Sequence, residues 1–186
     1  MSENKLVGSL VLRTIDINPI CAEPLANVGL TFDNDYGTFT ANACVVTWKN
    51  VNIRTCLGEL YREYNRFNLK VTAAQIRSNG IATTDSQLII YMSGLPFSSG
   101  STYSTRLGPT NQAAIGMVNF VVAAATGVTT PILSGLVSFD KPLQDVINIT
   151  VELKNSSNNA LVNGYSEKPT TRMPHWSIMC DIYGVD

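Results

Sequence analysis

At 186 residues the chain is long enough to bury a substantial core and short for two, so one domain spanning residues 1–186 is expected. With 13 basic and 14 acidic residues the net charge is -1, and only 15% of residues are charged. That balance excludes the electrostatic footprint of a nucleic-acid-binding protein or of one held on an anionic membrane.

The first residues, Met1 to Lys5, carry no cationic segment followed by a long apolar core, so synthesis in a cytoplasm is expected. Residues 5–16 read as a first strand, with Leu6, Gly8, Leu10 and Leu12 on one face and Lys5, Ser9 and Arg13 on the other. Residues 18–41 hold Pro19, Pro24, Gly29, Asp33, Asn34, Asp35 and Gly37, the composition of a long loop, within which 29–32 and 38–40 can pair as a small hairpin. A second strand follows over 43–48, with Cys44, Val46 and Trp48 on one face.

The hydrophobic period then changes. Ile53, Leu57, Leu60, Tyr61 and Tyr64 form the stripe of one helix face, after which Phe67, Leu69 and Val71 alternate with polar residues. An amphipathic helix therefore hands directly into a strand over 67–77. Residues 87–93 form a strand apolar on both faces, hence a central one. A polar loop over 94–112 precedes strands at 115–122, 133–139, 146–153 and 175–183. In the last two, Ile147, Ile149, Val151 and Leu153 face inward, as do Trp176, Ile178, Cys180 and Ile182.

No charge occurs between Arg106 and Asp140, and residues 113–137 are mostly apolar, long enough to span a bilayer. Asn119, Gly127, Thr129, Thr130, Pro131 and Ser134 within it suit two strands and a turn better than a lipid-facing helix, so no membrane insertion is expected. The loop 123–131 remains apolar for an exposed one, and burial against another subunit is its simplest explanation.

Signatures of chemistry are weak. The four cysteines, at 21, 44, 56 and 180, form no C-x-x-C pair, and His175 is the only histidine, so structural zinc is not expected; the four could make two disulfides, but a reducing cytoplasm favours free thiols. Cys180 lies five residues from His175 on one strand, which puts the two on opposite faces. Glu59 and Glu63 interleave with Arg62 and Arg66 at the spacing of ion pairs on a solvated helix face, not of a catalytic carboxylate pair. Asp33 and Asp35 resemble the start of a calcium loop that lacks its later glycine and closing glutamate.

Eight antiparallel strands with one short α-helix between the second and third is the order of an all-β single jelly roll. Its strands, lettered B to I, form a β-sandwich of sheets BIDG and CHEF. The segments TCLGELYREYNRFNLKVTAAQI (55–76), DKPLQDVINITVEL (140–153) and SIMCDIYGVD (177–186) resemble the small jelly-roll penton or minor capsid proteins of large icosahedral double-stranded DNA viruses of algae, protists and animals. The resemblance covers most of the chain from strand C onward and lies in structural patterns.

It implies a non-enzymatic structural protein of the virion capsid, without cofactor or nucleic acid. The expected form is a penton: a homopentameric ring at the icosahedral vertices, in contact with major and minor capsid proteins. In such jelly rolls the B–C, D–E, F–G and H–I loops, here 18–41, 78–86, 123–131 and 154–174, gather at the end nearest the five-fold axis. Ala123, Thr126, Gly127, Val128, Thr129 and Pro131 then become ring-closing contacts. At the other end Arg54, Glu59, Arg62, Glu63 and Arg66 face solvent or a lattice neighbour. The first loop is longer than a bare jelly roll needs. Alternatives are a minor (cement) capsid protein, or a carbohydrate- or receptor-binding sandwich using Tyr165, Arg172 and Trp176; a cupin-type enzyme would need clustered histidines.

Overall fold

The computed structural model describes residues 4–17, 31–33, 35–40, 45–76, 87–99, 112–119, 128–129, 131–133, 135–156 and 176–185. Its strands are β1 (Lys5–Arg13), β2 (Thr31–Asp33), β3 (Gly37–Thr40), β4 (Val45–Asn52), β5 (Arg66–Ile76), β6 (Gln87–Ser93), β7 (Phe97–Ser99), β8 (Gln112–Asn119), β9 (Val128–Thr129), β10 (Pro131–Leu133), β11 (Val137–Asp140), β12 (Val146–Asn155) and β13 (Trp176–Val185). One sheet runs β1-β13-β5-β11-β7 with β9 on β5, and the other runs β10-β8-β6-β12-β4-β3-β2. Reading β1, β4, β5, β6, β8, β11, β12 and β13 as B to I, these orders contain B-I-D-G and C-H-E-F. The fold is a jelly-roll β-sandwich.

Alternation fixes the core. Leu10, Leu12, Phe67, Leu69, Val71, Val137, Phe139, Ile178, Cys180 and Ile182 from the first sheet meet Val46, Trp48, Leu88, Ile90, Met92, Ala113, Ile115, Val118, Ile149, Val151 and Leu153 from the second. β6 lies between β8 and β12 and is buried on both faces, as its unbroken apolar run indicates. Its outward side is a second small cluster, Ile89, Tyr91 and Ala114, with Met117 packed against it.

Several expectations need correction. Leu6 faces outward at 50% exposure and Val7 is buried, because the β1–β13 register slips between Leu6 and Gly8. One inserted residue moves a side chain to the other face. The helix expected over Ile53–Tyr64 breaks at Gly58 (φ 75°, ψ -163°) into a five-residue α-helix α1 (Ile53–Leu57) and a 3-10 turn, Glu59–Glu63. The two pieces still bury Ile53, Leu57, Tyr61 and Tyr64, while Leu60 is half-buried.

The strand placed at 133–139 is two pieces on different sheets: β10 pairs with β8, and β11 pairs with β5 and β7. β7 itself lies within the region read as a polar loop. β4 continues past Trp48 to Asn52 through an irregularity at Asn50 (φ 55°), a left-handed conformation asparagine tolerates, which leaves Val51 packed against the core. The expected hairpin forms as β2–β3, over Thr31–Asp33 and Gly37–Thr40, and extends the CHEF sheet beyond β4.

Candidate interaction surfaces

The chain's crossings build one well-defined end of the sandwich. Asn52 caps α1, its side-chain oxygen accepting from Thr55 N at 3.0 Å. Ile53 N donates to Asp145 O at 2.8 Å, and Lys141 N donates to Asn65 O at 2.8 Å, so the β11–β12 loop is tied to α1 and to the turn after it. The Lys141 ammonium lies 4.8 Å from the centroid of the Tyr61 ring and donates to Arg62 O at 3.4 Å. Beneath it Tyr61 stacks on Phe67 (5.2 Å) and Phe67 on Phe139 (5.3 Å), with Phe97 edge-on to Phe139 (6.2 Å). Burial, with a smaller contribution from Asp145, pushes the Tyr61 hydroxyl pKa up.

The five charged residues expected to face a neighbour all occupy this end. Glu59, Arg62, Glu63 and Arg66 are exposed, and Arg54 is half-buried. One of their pairs is among those read from helical spacing and two are not. Arg62 pairs with Glu59 at 3.2 Å, whereas Arg66 reaches Asp140 at 3.2 Å and Arg54 lies 3.8 Å from Asp145. The 3-10 turn ends at Glu63, which removes the i,i+4 geometry, and Asp140 at the end of β11 and Asp145 in the β11–β12 loop supply the acids for Arg66 and Arg54. Exposed pairs of this kind contribute about 0–1 kcal/mol each, so they leave the surface chemically available. An open depression of about 410 Å³ lies beside them, lined by Glu63, Tyr64, Asn65, Arg66, Asp140 and Val185.

At the opposite end Val128 and Thr129 form β9 on Gln75 and Ala74 of β5, and Pro131 opens β10 opposite Val118 of β8. The F–G connection therefore touches both sheets. Ala123, Thr126 and Gly127 lie outside the described residues, as do His175, Tyr165, Arg172, Cys21 and Cys44, the loop expected at 78–86, and all but 154–156 of the loop expected at 154–174, of which 154–155 belong to β12.

Nothing in the described residues assembles a reaction centre. No group of three or more His, Cys, Asp or Glu side chains there could hold a metal ion, and no helix there is long and apolar enough to cross a membrane. Cys56 and Cys180 are free thiols. Burial pushes the Cys56 pKa up, the reverse of what an activated nucleophile requires. No protein-family model matches the chain, and no curated protein is similar to it in sequence. Among solved structures it is similar to apo chimpanzee polyomavirus VP1 (8% identity, all of both chains, TM-score 0.29) and to the human polyomavirus 6 VP1 pentamer (14% identity, all of this chain and 97% of that one, TM-score 0.24). At those scores the likeness carries no functional weight, and the jelly roll stands on its own sheet order.

Cys180 carries a measurable consequence. Burial, aided by Asp181, raises its pKa from 9.0 to about 12. The folded state holds this thiol protonated, so its contribution to stability is complete below about pH 9 and is lost as pH rises toward 12, where only the unfolded chain ionises. Across that window the native chain should lose about 1.4 kcal/mol per pH unit more than Cys180→Val. Urea melts of both at pH 8, 9.5 and 10.5 measure the difference; parallel curves would place the thiol in contact with solvent.

Proposed function

We propose that this chain is a structural capsid protein, without catalytic activity, that forms a homopentameric ring at icosahedral vertices. The observation carrying the proposal is the sheet order B-I-D-G and C-H-E-F with α1 in the C–D connection. That is support by fold-level analogy, joined to the sequence resemblance. A jelly roll of this kind works by shape and interface burial. The F–G connection, with Ala123, Thr126, Gly127, Val128, Thr129 and Pro131, closes the ring. Arg54, Glu59, Arg62, Glu63 and Arg66 meet lattice neighbours, the major and minor capsid proteins.

Native mass spectrometry of the purified chain should give a mass built on the ring, five copies or a whole multiple of five, and a map of the virion should place the chain at the vertices. A stable monomer absent from the vertices overturns the penton. An Arg62→Ala/Arg66→Ala variant that assembles normally would remove the lattice contact and leave α1 as a cap on the core.

A further inference from the structure

The outer face of the BIDG sheet carries a pattern independent of the capsid proposal. Backbone register sets its side chains in rows across β1, β13 and β5. Val11 stands opposite Met179, which stands opposite Ala73; Ser9 stands opposite Asp181, which stands opposite Lys70; Leu6 stands opposite Tyr183, which stands opposite Asn68. The row Val11, Met179 and Ala73 is apolar and open, with Val11 50% and Met179 37% exposed and Ala73 exposed; in the row Leu6, Tyr183 and Asn68, Leu6 is 50% exposed, Tyr183 is half-buried, and the half-buried Asn68 accepts from Ser138 Oγ at 2.7 Å. The row between them holds one acid and one base. Asp181 accepts from Ser9 Oγ at 2.6 Å, and among the described residues no ion pair joins it to Lys70 or gives Lys70 another charged partner.

We propose that this face docks a second copy of the same chain. Two such sheets meeting across a two-fold axis that runs along the strands, between β13 and β5, bring like rows together. Met179 of each copy then covers Ala73 of the other, and Lys70 of each reaches Asp181 of the other. The contact is self-complementary, as an isologous interface must be. With the axis along β13 itself, or across the strands at the Asp181 row, Asp181 would oppose Asp181. The strand spacing and rise make the three- to four-strand face about 30 Å long and 15–20 Å wide, roughly 500 Å² on each copy. That reaches the ~1,000 Å² total at which specific interfaces begin, so the contact is a weak or moderate one.

The test is mass in solution, by analytical ultracentrifugation of the full chain with circular dichroism as a check on folding. The wild-type assembly should be an even multiple of the chain, a dimer or a pair of rings. Lys70→Glu, and separately Asp181→Lys, should halve that mass at equal concentration. Mixing those two variants should restore it, because each unlike pair of copies again sets a base against an acid at both contacts. Met179→Glu should halve it and resist rescue by either. A wild type with an odd multiple of the chain, or single variants that leave the mass unchanged, overturns the proposal. A monomer-to-dimer change without rings keeps the face contact and removes the pentamer, so the two proposals fail separately.

Discussion

Replacing Gly94 with alanine is expected to destabilise the fold by about 3–5 kcal/mol, the combined scale of a strained backbone and an overpacked site. Gly94 follows β6 with φ 105°, a conformation a side chain makes costly. An added Cβ would collide with the carbonyl oxygen of Asn148 and stand 3.0 Å from Asn148 C and 3.1 Å from Ile149 Cα. All three are backbone atoms of β12, the strand hydrogen-bonded to β6, so nothing nearby can rotate away. The site matters because the chain leaves the CHEF sheet here and reaches the BIDG sheet at β7 three residues later. Urea denaturation measures the loss. Gly135→Ala, where an added Cβ meets nothing within 4 Å, should stay within about 0.5 kcal/mol of wild type. Equal effects at the two positions would contradict the close approach at Gly94.

Phe67→Ala should cost about as much, 3–5 kcal/mol, for a different reason. Phe67 is fully buried and stacks between Tyr61 and Phe139, with Tyr64 edge-on at 6.4 Å. Truncation leaves a cavity and removes three ring contacts, each worth about 0.5–1.5 kcal/mol beyond area. It also undercuts Tyr61, on which Lys141 and the charged end rest. Phe67→Leu, which refills most of the volume, should recover more than half of the loss. The midpoint should shift with the denaturant slope unchanged; a shift under about 1 kcal/mol would mean that the ring is not enclosed as described.

The strands that were legible in the sequence are those whose side chains record their surroundings without interruption. The run Gln87–Ser93 coincides with β6, and the inward sets of β12 and β13 fall as alternation places them, apart from Trp176, whose side chain lies outside the described residues. What was illegible is backbone geometry that side-chain chemistry does not encode. Nothing in the letters around Leu6 announces the slip that turns it outward. The apolar offsets from Ile53 to Tyr64 fit one helix whether or not Gly58 interrupts it, because both pieces bury the same face. Arg66 and Asp140 pair across 74 positions of chain, a separation no local pattern can bridge. The rows on the outer BIDG face were hidden in the same way, since they exist only once β1, β13 and β5 are in register.

Ser9 and Asp181 bond across 172 positions, and β13 sits between β1 and β5 in its sheet. The order in which this sheet closes therefore cannot follow the order in which a ribosome makes it. Among the described strands β1 is made first, and the one it pairs with, β13, is made last. Through that interval Leu10, Leu12 and the apolar edge of β5 stand open to every other copy in the cell. A chain of this topology folds slowly and late, and crowding at high expression should favour pairing between molecules over closure within one. Lower temperature and slower synthesis, by thinning the population of unfinished chains, should raise the soluble yield.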